Sequence, residues 1–561
     1  MTRPTSVLIL LASFAIFLCW LAPGHYYPWI SFQNEIVAAV GGLLFCGAAI
    51  TGSREGLAWP RLATFAALVA LVPLIQLLSG QIAFVSDGVL ALLYLLALAA
   101  AISVGAELTR AEPQAFLDGL FGSLLAAGIV SVGLALVQWL GLGPVGYVAW
   151  IPPGDRPFAN LGQPNHLASL FALALLGGLW LYETHRISGK VFALVAAWLL
   201  VGLVMSRSRM VWVVVFVVAG GWLLLHRRVT MRVKPKELLG FVALFVFGVL
   251  LWGPMSEAVG TVAPVSVAER VQAGGGRLRI WSALVDALLE SPWVGYGWSQ
   301  VSRAGFAGSL DHYTGEAMLR NSHNTPLDLL IWNGIPLGLL IVGGLVFWLV
   351  QQVRQCDSAR RGIVLAAVLV IAVHAMLEFP LEYLYFLIPT GLFAGALAGW
   401  EAPVRQQRVP RAAAAASFAV LLGMTVWVAS EYSRIEEASR DNRMLAAGYA
   451  RSAELPDVTL LDEPREYMRF WRTQAKAAMP EAQIEWMRKI AERNPAPPSL
   501  LRYALALGLN SRPQDATDTL VRLCNMHNAA RCDEGRKSWG QLQSQNPALN
   551  AITYPRTPAQ P

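Results

Sequence analysis

Thirteen apolar runs set the terms for any fold this chain can adopt. They lie near residues 5–22, 35–50, 62–79, 86–105, 116–140, 166–183, 191–205, 210–225, 238–252, 325–350, 362–378, 382–400 and 412–430. A helix needs about 20 apolar residues to cross the hydrocarbon core of a bilayer. Inside that core every backbone N–H and C=O must pair within the protein, which favours helices. Charged residues are only 14% of the 561 and hydrophobic ones 55%, against roughly 25% charged in soluble domains. The pattern predicts an all-α polytopic membrane protein with about 12–13 transmembrane helices. It excludes an ordinary soluble enzyme and a disordered chain. The first run is expected to stay in place, because no small-residue cleavage site separates it from the runs that follow.

The basic residues test this count and give it a direction. With the N-terminus on the cytoplasmic side, the cytoplasmic loops collect Arg54 and Arg61, Arg110, Arg186 and Lys190, the cluster from Arg227 to Lys236, then Arg354, Arg360 and Arg361, and finally Arg405, Arg408 and Arg411. The outer loops 23–34, 80–85 and 379–381 contain neither Lys nor Arg. The same alternation places residues 431–561 outside. Two domains are expected: 1–430 in the membrane, with a long outer loop at 253–324, and a helical soluble tail at 431–561. Short paired helices give the tail a tetratricopeptide-like character, but no clean 34-residue repeat is present. Cys524 and Cys532 lie eight apart in this tail, with His527 between them. A disulfide, which needs an oxidising compartment, unpaired thiols, and a zinc site using His527 are all compatible with that spacing.

Polar groups crowd the outer face. The segment RPFANLGQPNHLASL, 156–170, packs Arg156, Asn160, Gln163, Asn165 and His166 against the start of a span. A short turn can reach this composition by chance, yet amides running into an apolar helix need partners near lipid. MSRSRMVW places Arg207 and Arg209 between two spans, either snorkelling or forming an anion site. In the outer loop, glycines precede Arg277 and Arg279, and Arg270, Arg303 and Arg320 add charge. Glycine-flanked guanidinium groups hold phosphate well, but the GKS/T ending of a nucleotide-binding loop is absent, so an NTPase is disfavoured. NSHNTPLDLLIWNG, 321–334, carries His323 just before a long span, and histidine suits proton transfer near neutral pH. The turn EFPLEYLYF adds Glu378, Glu382, Tyr383 and Tyr385. Tyrosines there are commonly interface-belt residues. Several arginines and a candidate base on one face suit an anionic substrate delivered by the membrane, and a lipid pyrophosphate meets both conditions.

At these residues the chain resembles the O-antigen ligase and polymerase superfamily. The resemblance rests on Arg277-Leu-Arg-Ile-Trp281, Pro292-Trp-Val-Gly-Tyr-Gly297, Ser322-His-Asn324 and the S-R-x-x-W of Ser208–Trp212. FANLGQPNHLA and EFPLEYLYFLIP are similar to segments of the bacterial protein O-oligosaccharyltransferases, the pilin-glycosylation ligase branch. The resemblance implies transfer of a preassembled glycan from undecaprenyl pyrophosphate to a Ser or Thr hydroxyl of a periplasmic protein such as a pilin. It implies an inner-membrane location with the site facing the periplasm, and no metal, cofactor or nucleic acid. The family's essential histidine falls on His323 and its phosphate-binding arginines on Arg209 and Arg277. Its glutamine and tyrosine fall on Gln163 and on Tyr383 or Tyr385. Arg207 and Arg279 are extra basic neighbours able to share those roles, and Asn165 and His166 belong to the signature. An O-antigen ligase acting on lipid A-core, an O-antigen polymerase and a lipid-linked glycan transporter are the competing expectations.

Overall fold

The computed structural model describes residues 3–142, 146–152, 154–261, 276–315, 319–400, 407–449 and 454–558; Arg270 and Arg405 lie outside them. The membrane helices are α1 (Arg3–Cys19), α2 (Phe32–Gly52), α3 (Arg61–Leu78), α4 (Val85–Ala111), α5 (Pro113–Trp139), α6 (Pro164–Glu183), α7 (Gly189–Met205), α8 (Arg209–His226) and α9 (Pro235–Ala258). After α10 (Gly276–Glu290) and α11 (Val301–Gly308), in the long connection before the next span, come α12 (Thr325–Arg354), α13 (Ala359–Ala375), α14 (Leu384–Gly399) and α15 (Arg411–Ala446). Each apolar run of the sequence coincides with one of these helices. Among the described residues, nine helices are long and apolar enough to cross a bilayer, and α1, α7 and α14 are shorter apolar helices. The protein is an all-α, multi-pass membrane protein.

By its internal contacts the chain divides into two units. The first comprises Met1–Ala70, Leu93–Val265 and Leu345–Ser430, and the second Leu71–Leu92, Ser266–Gly344 and Glu431–Pro561. In the first unit, small residues let helices approach closely, the usual basis of packing in lipid. Gly391, Gly395 and Gly399 recur every fourth residue on one face of α14. A Cβ on Gly395 would stand 2.1 Å from the Ile102 carbonyl oxygen of α4, and one on Gly105 of α4 would stand 2.2 Å from Leu392 O. Gly128 of α5 and Gly177 of α6 are closed in the same way, by Ala174 Cβ at 2.3 Å and Phe121 O at 2.5 Å. These contacts fix α6 and α14, whose N-terminal ends carry much of the candidate site. A small antiparallel ribbon pairs Leu57–Trp59 with Gln407–Val409. Buried Glu107 anchors it, accepting from Ala58 N–H at 3.0 Å and from Arg408 at 3.2 Å.

The second unit is built around a break in α12. Gly334, within the turn-prone Asn-Gly-Ile-Pro of 333–336, takes φ 75°, ψ 171° and interrupts the helix. The Pro292–Gly297 segment lies against the break backbone to backbone. Tyr296 N–H donates to Ile331 O at 2.8 Å, Gly297 N–H to Trp332 O at 3.1 Å, and Ile335 N–H to Pro292 O at 2.7 Å. A Cβ at Gly295 (φ 68°) would stand 2.4 Å from Ile331 O. Gln76 closes the contact, donating to Trp332 O and accepting from Trp298 N–H. The P-x-x-G-x-G motif is therefore a backbone latch on a broken helix. Tyr296 is part of it, with its hydroxyl donating to Ala287 O at 3.0 Å and burial pushing its phenol up to about 12.

The tail contributes α16 (Asp462–Arg472), α17 (Glu481–Arg493), α18 (Pro497–Leu509), α19 (Pro513–Met526) and α20 (Ala529–Gln545) to this unit. Their core of Phe470, Met487, Leu500, Leu520 and Trp539 includes Phe84 and Phe306 from outside the tail. Asp462 accepts from the first amides of α4, Val85 and Ser86, at 3.0 and 2.9 Å. Arg493 pairs with Asp87 at 2.8 Å. Cys524 and Cys532 form a disulfide. The ring of His527 is buried and hydrogen-bonded to Pro495 O at 2.8 Å, so it is not turned toward the sulfurs as a zinc ligand. Burial holds its pKa below the ordinary histidine value.

Candidate functional site

Gln163, Asn165, His166, Arg207, Arg209, Tyr383 and Tyr385 all belong to the first unit. Pro164 occupies the first turn of α6, where its missing N–H costs nothing, and Gln163 is the extended residue before it. Gln163 and Asn165 therefore project from the helix mouth toward the turn after α13. There the buried carboxylate of Glu378 receives Asn165 Nδ2 at 3.0 Å and Gln163 Nε2 at 3.4 Å. The other end of the Asn165 amide, Oδ1, accepts from Ser208 Oγ at 2.7 Å. Ser208 is the residue before α8, and Arg209 is the first of that helix. Arg209 is exposed, and no hydrogen bond or ion pair engages it among the described residues. Arg207 takes a positive φ of 47° and donates to Gly154 O at 3.3 Å.

On the next residue of α6, His166 Nδ1 meets the hydroxyl of Tyr385 at 2.8 Å. Tyr385 is only 1% exposed, so its hydroxyl serves this histidine. Tyr383 is half-buried and packs edge-on against the His166 ring at 4.7 Å. Ser169 and His374 pair behind it at 2.8 Å. A cavity of about 330 Å³ opens nearby in the same unit, lined by Gln138, Trp139, Trp150, Asp155, Arg207 and Trp252.

Arg277, Arg279 and His323 belong to the second unit. His323 adopts φ 57° in a turn that is held from several sides. The buried Ser322 before it donates its N–H to Asp328 Oδ1 at 2.9 Å and accepts the indole N–H of Trp281 on its carbonyl at 2.8 Å. Its hydroxyl donates to Asn324 O at 3.0 Å. Asn324 then caps α12, its Oδ1 accepting from Leu327 N–H at 3.0 Å. The R-x-x-x-W motif and the Ser-His-Asn motif thus meet physically through Trp281. Arg277 lies four residues before Trp281 on α10, hence on the same helix face. Arg279 sits with its guanidinium 5.9 Å from the ring of Tyr313.

Sequence reasoning singled out the amides and the histidine but not what orients them. Glu378 was visible only as one acid in a turn, and Ser208 only as a letter of a motif. Trp281 was visible only as a motif letter, Asp328 and His374 lie within apolar helices, and the partners of Trp281 and His374 are remote in sequence. The Gly391, Gly395, Gly399 stripe, which the sequence reading did not pick out, helps set α14 against α4.

Three family models match this chain: the O-antigen ligase model over residues 194–342, a protein glycosylation ligase model over 157–182, and the C-terminal model of virulence-factor membrane-bound polymerases over 363–538. By these matches the chain is similar to the O-antigen ligase superfamily and, within it, to the protein O-oligosaccharyltransferase branch. Two curated relatives from Acinetobacter baylyi carry that branch's name. A general O-oligosaccharyltransferase is 27% identical over 535 residues, 93% of this chain and 92% of the relative. A ComP-specific O-oligosaccharyltransferase is 28% identical over 249 residues, 43% of each chain. The glycosylation ligase match covers Gln163, Asn165 and His166, and the O-antigen ligase match covers Arg207, Arg209, Arg277, Arg279 and His323.

Proposed function

We propose that this protein is an O-linked oligosaccharyltransferase, moving a preassembled glycan from undecaprenyl pyrophosphate to a Ser or Thr hydroxyl of a periplasmic protein such as a pilin. The observation that carries this reading is the built turn at His323. A half-buried histidine held at φ 57° by Trp281, Asp328 and Asn324 is an arrangement for presenting an imidazole. In this reading His323 takes the proton from the acceptor hydroxyl as it attacks the anomeric carbon. The bond from that carbon to the pyrophosphate oxygen breaks, and lipid pyrophosphate leaves as an anion. Arg277 and Arg209 stabilise that anion by forked hydrogen bonds, with Arg279 and Arg207 as neighbouring charges. Gln163, Asn165 and Tyr383 orient the sugar or acceptor, and Tyr385 acts through His166. Tryptophan faces beside Arg207 and Asp155 suit the apolar face and hydroxyl edges of a sugar ring. The names of the two relatives support transfer to protein. The disulfide of the tail supports an oxidising, periplasmic exposure and hence an inner-membrane location.

Purified protein in nanodiscs, given undecaprenyl-pyrophosphate glycan and a pilin-type acceptor in EDTA, tests this reading. A glycan-sized mass gain on the acceptor is expected. Donor consumption with glycan joined instead to lipid A-core or to another glycan would replace it with the ligase or polymerase reading. An intact donor beside an active control enzyme would point to transport.

A further inference from the structure

Glu378 carries an inference about how this site is kept in register, resting on the transferase function proposed above. Its carboxylate is buried at 3% exposure and receives two side-chain amides at once. An ionised carboxylate only accepts hydrogen bonds, whereas an amide has one donor end and one acceptor end. With both nitrogens turned to Glu378, both amide oxygens must point elsewhere. Asn165 Oδ1 is thereby presented to Ser208, the residue that precedes Arg209. Gln163 Oε1 is left enclosed, with no hydrogen-bond partner among the described residues. An enclosed acceptor without a donor is unfavourable, and a hydrogen-bond donor such as a substrate hydroxyl would relieve it.

We propose that Glu378 is a positioning residue: it fixes the sense of both amides, so that Gln163 Oε1 accepts from a hydroxyl of the sugar or the acceptor while Asn165 Oδ1 holds the Ser208–Arg209 start of α8. The charge is needed, not the shape. A glutamine at 378 would offer one acceptor end and one donor end, so either Gln163 or Asn165 would have to turn over.

The test compares Glu378→Gln with the exchanged pair Glu378→Gln/Gln163→Glu in the full-length protein, using the reconstituted transfer assay. In the exchanged pair the carboxylate introduced at position 163 accepts from the amide introduced at position 378. That amide still accepts from Asn165 on its oxygen, so a carboxylate oxygen stands where Gln163 Oε1 stood. Glu378→Gln is expected to lower kcat/KM roughly 10- to 100-fold, the range for loss of a hydrogen bond to a charged group, at an unchanged melting temperature. The exchanged pair is expected to recover at least a third of that loss on a logarithmic scale. A merely structural role would lower stability in the single variant and would show no recovery of rate. Wild-type transfer with equal transfer by Glu378→Gln would overturn this role alone, as would an exchanged pair no better than the single variant. A wild-type protein that transfers to no acceptor would overturn the function proposed above, and this role with it.

Discussion

Replacing Trp281 with Phe should slow transfer without emptying the membrane of protein. Phenylalanine keeps the aromatic body of the side chain and removes only the indole N–H. That N–H is the donor at 2.8 Å to the carbonyl of Ser322, a fully buried residue. Leaving a buried carbonyl unsatisfied costs about 1–3 kcal/mol. The turn has a way to reduce that cost. His323 sits in the left-handed region, which is unfavourable by about 1–2 kcal/mol for a residue with a side chain, so relaxing His323 toward ordinary backbone angles would let Ser322 O find water. The histidine would then lose its place. At about 1.4 kcal/mol per factor of ten, the same 1–3 kcal/mol becomes a loss of about 5- to 150-fold in kcat. Binding of the lipid donor should change little, because Trp281 holds the turn and not the pyrophosphate. Steady-state transfer kinetics with donor varied, beside a donor-binding isotherm, separate the two effects. An unchanged kcat in Trp281→Phe would refute the claim that this bond presents His323. So would a fall in rate wholly accounted for by loss of donor binding.

Four further outcomes follow from the packing and the tail. Gly395→Val should cost about 3 kcal/mol or more, because its Cβ would meet Ile102 O at 2.1 Å and helix backbones cannot yield as a flexible side chain can. Gly423→Ala on α15, where a Cβ meets nothing within 4 Å, should be neutral or stabilising by about 0.5–1 kcal/mol, and thermal unfolding in detergent compares the pair. Reduction of Cys524–Cys532, which closes a loop with a sequence separation of 8, should lower the stability of the tail by about 2.5 kcal/mol, readable as faster amide exchange across α18 to α20. His527 gives the tail a pH dependence of definite sign. Its pKa is held below 6.5 by burial, so the unfolded segment binds a proton before the folded one does. That stabilisation is complete above about pH 6.5 and is lost as pH falls toward the folded value. Amide exchange in α18 to α20 should therefore quicken on acidification, and His527→Gln should flatten that response.

Much of the fold was legible because lipid imposes a simple rule on sequence. A run of twenty apolar residues has few alternatives to a helix, so the thirteen runs mark thirteen helices. The candidate residues were legible for a related reason: Gln163, Asn165, His166 and His323 are polar groups at the mouths of apolar helices, where polar groups need partners. What the sequence could not show was which partners they take. Glu378 lies more than two hundred residues from Gln163 and Asn165, and Trp281 is forty-one residues from Ser322. Such pairs are fixed by the close approach of α6, α13 and α14 or by the latch on broken α12, which are properties of packing. The glycines of Pro292–Gly297 show the same limit from the other side. Read only as a motif of a glycine-rich turn, they prove to be the places where two backbones touch.

The central claim is that His323 is the group that accepts the proton from the attacking hydroxyl. Its most direct test is single-turnover transfer by His323→Ala in nanodiscs, with donor binding measured on the same sample. Donor binding within about threefold of wild type, with glycan transfer to the acceptor lowered by roughly 100-fold or more, is the predicted result. Transfer at the wild-type rate by the variant would contradict the account.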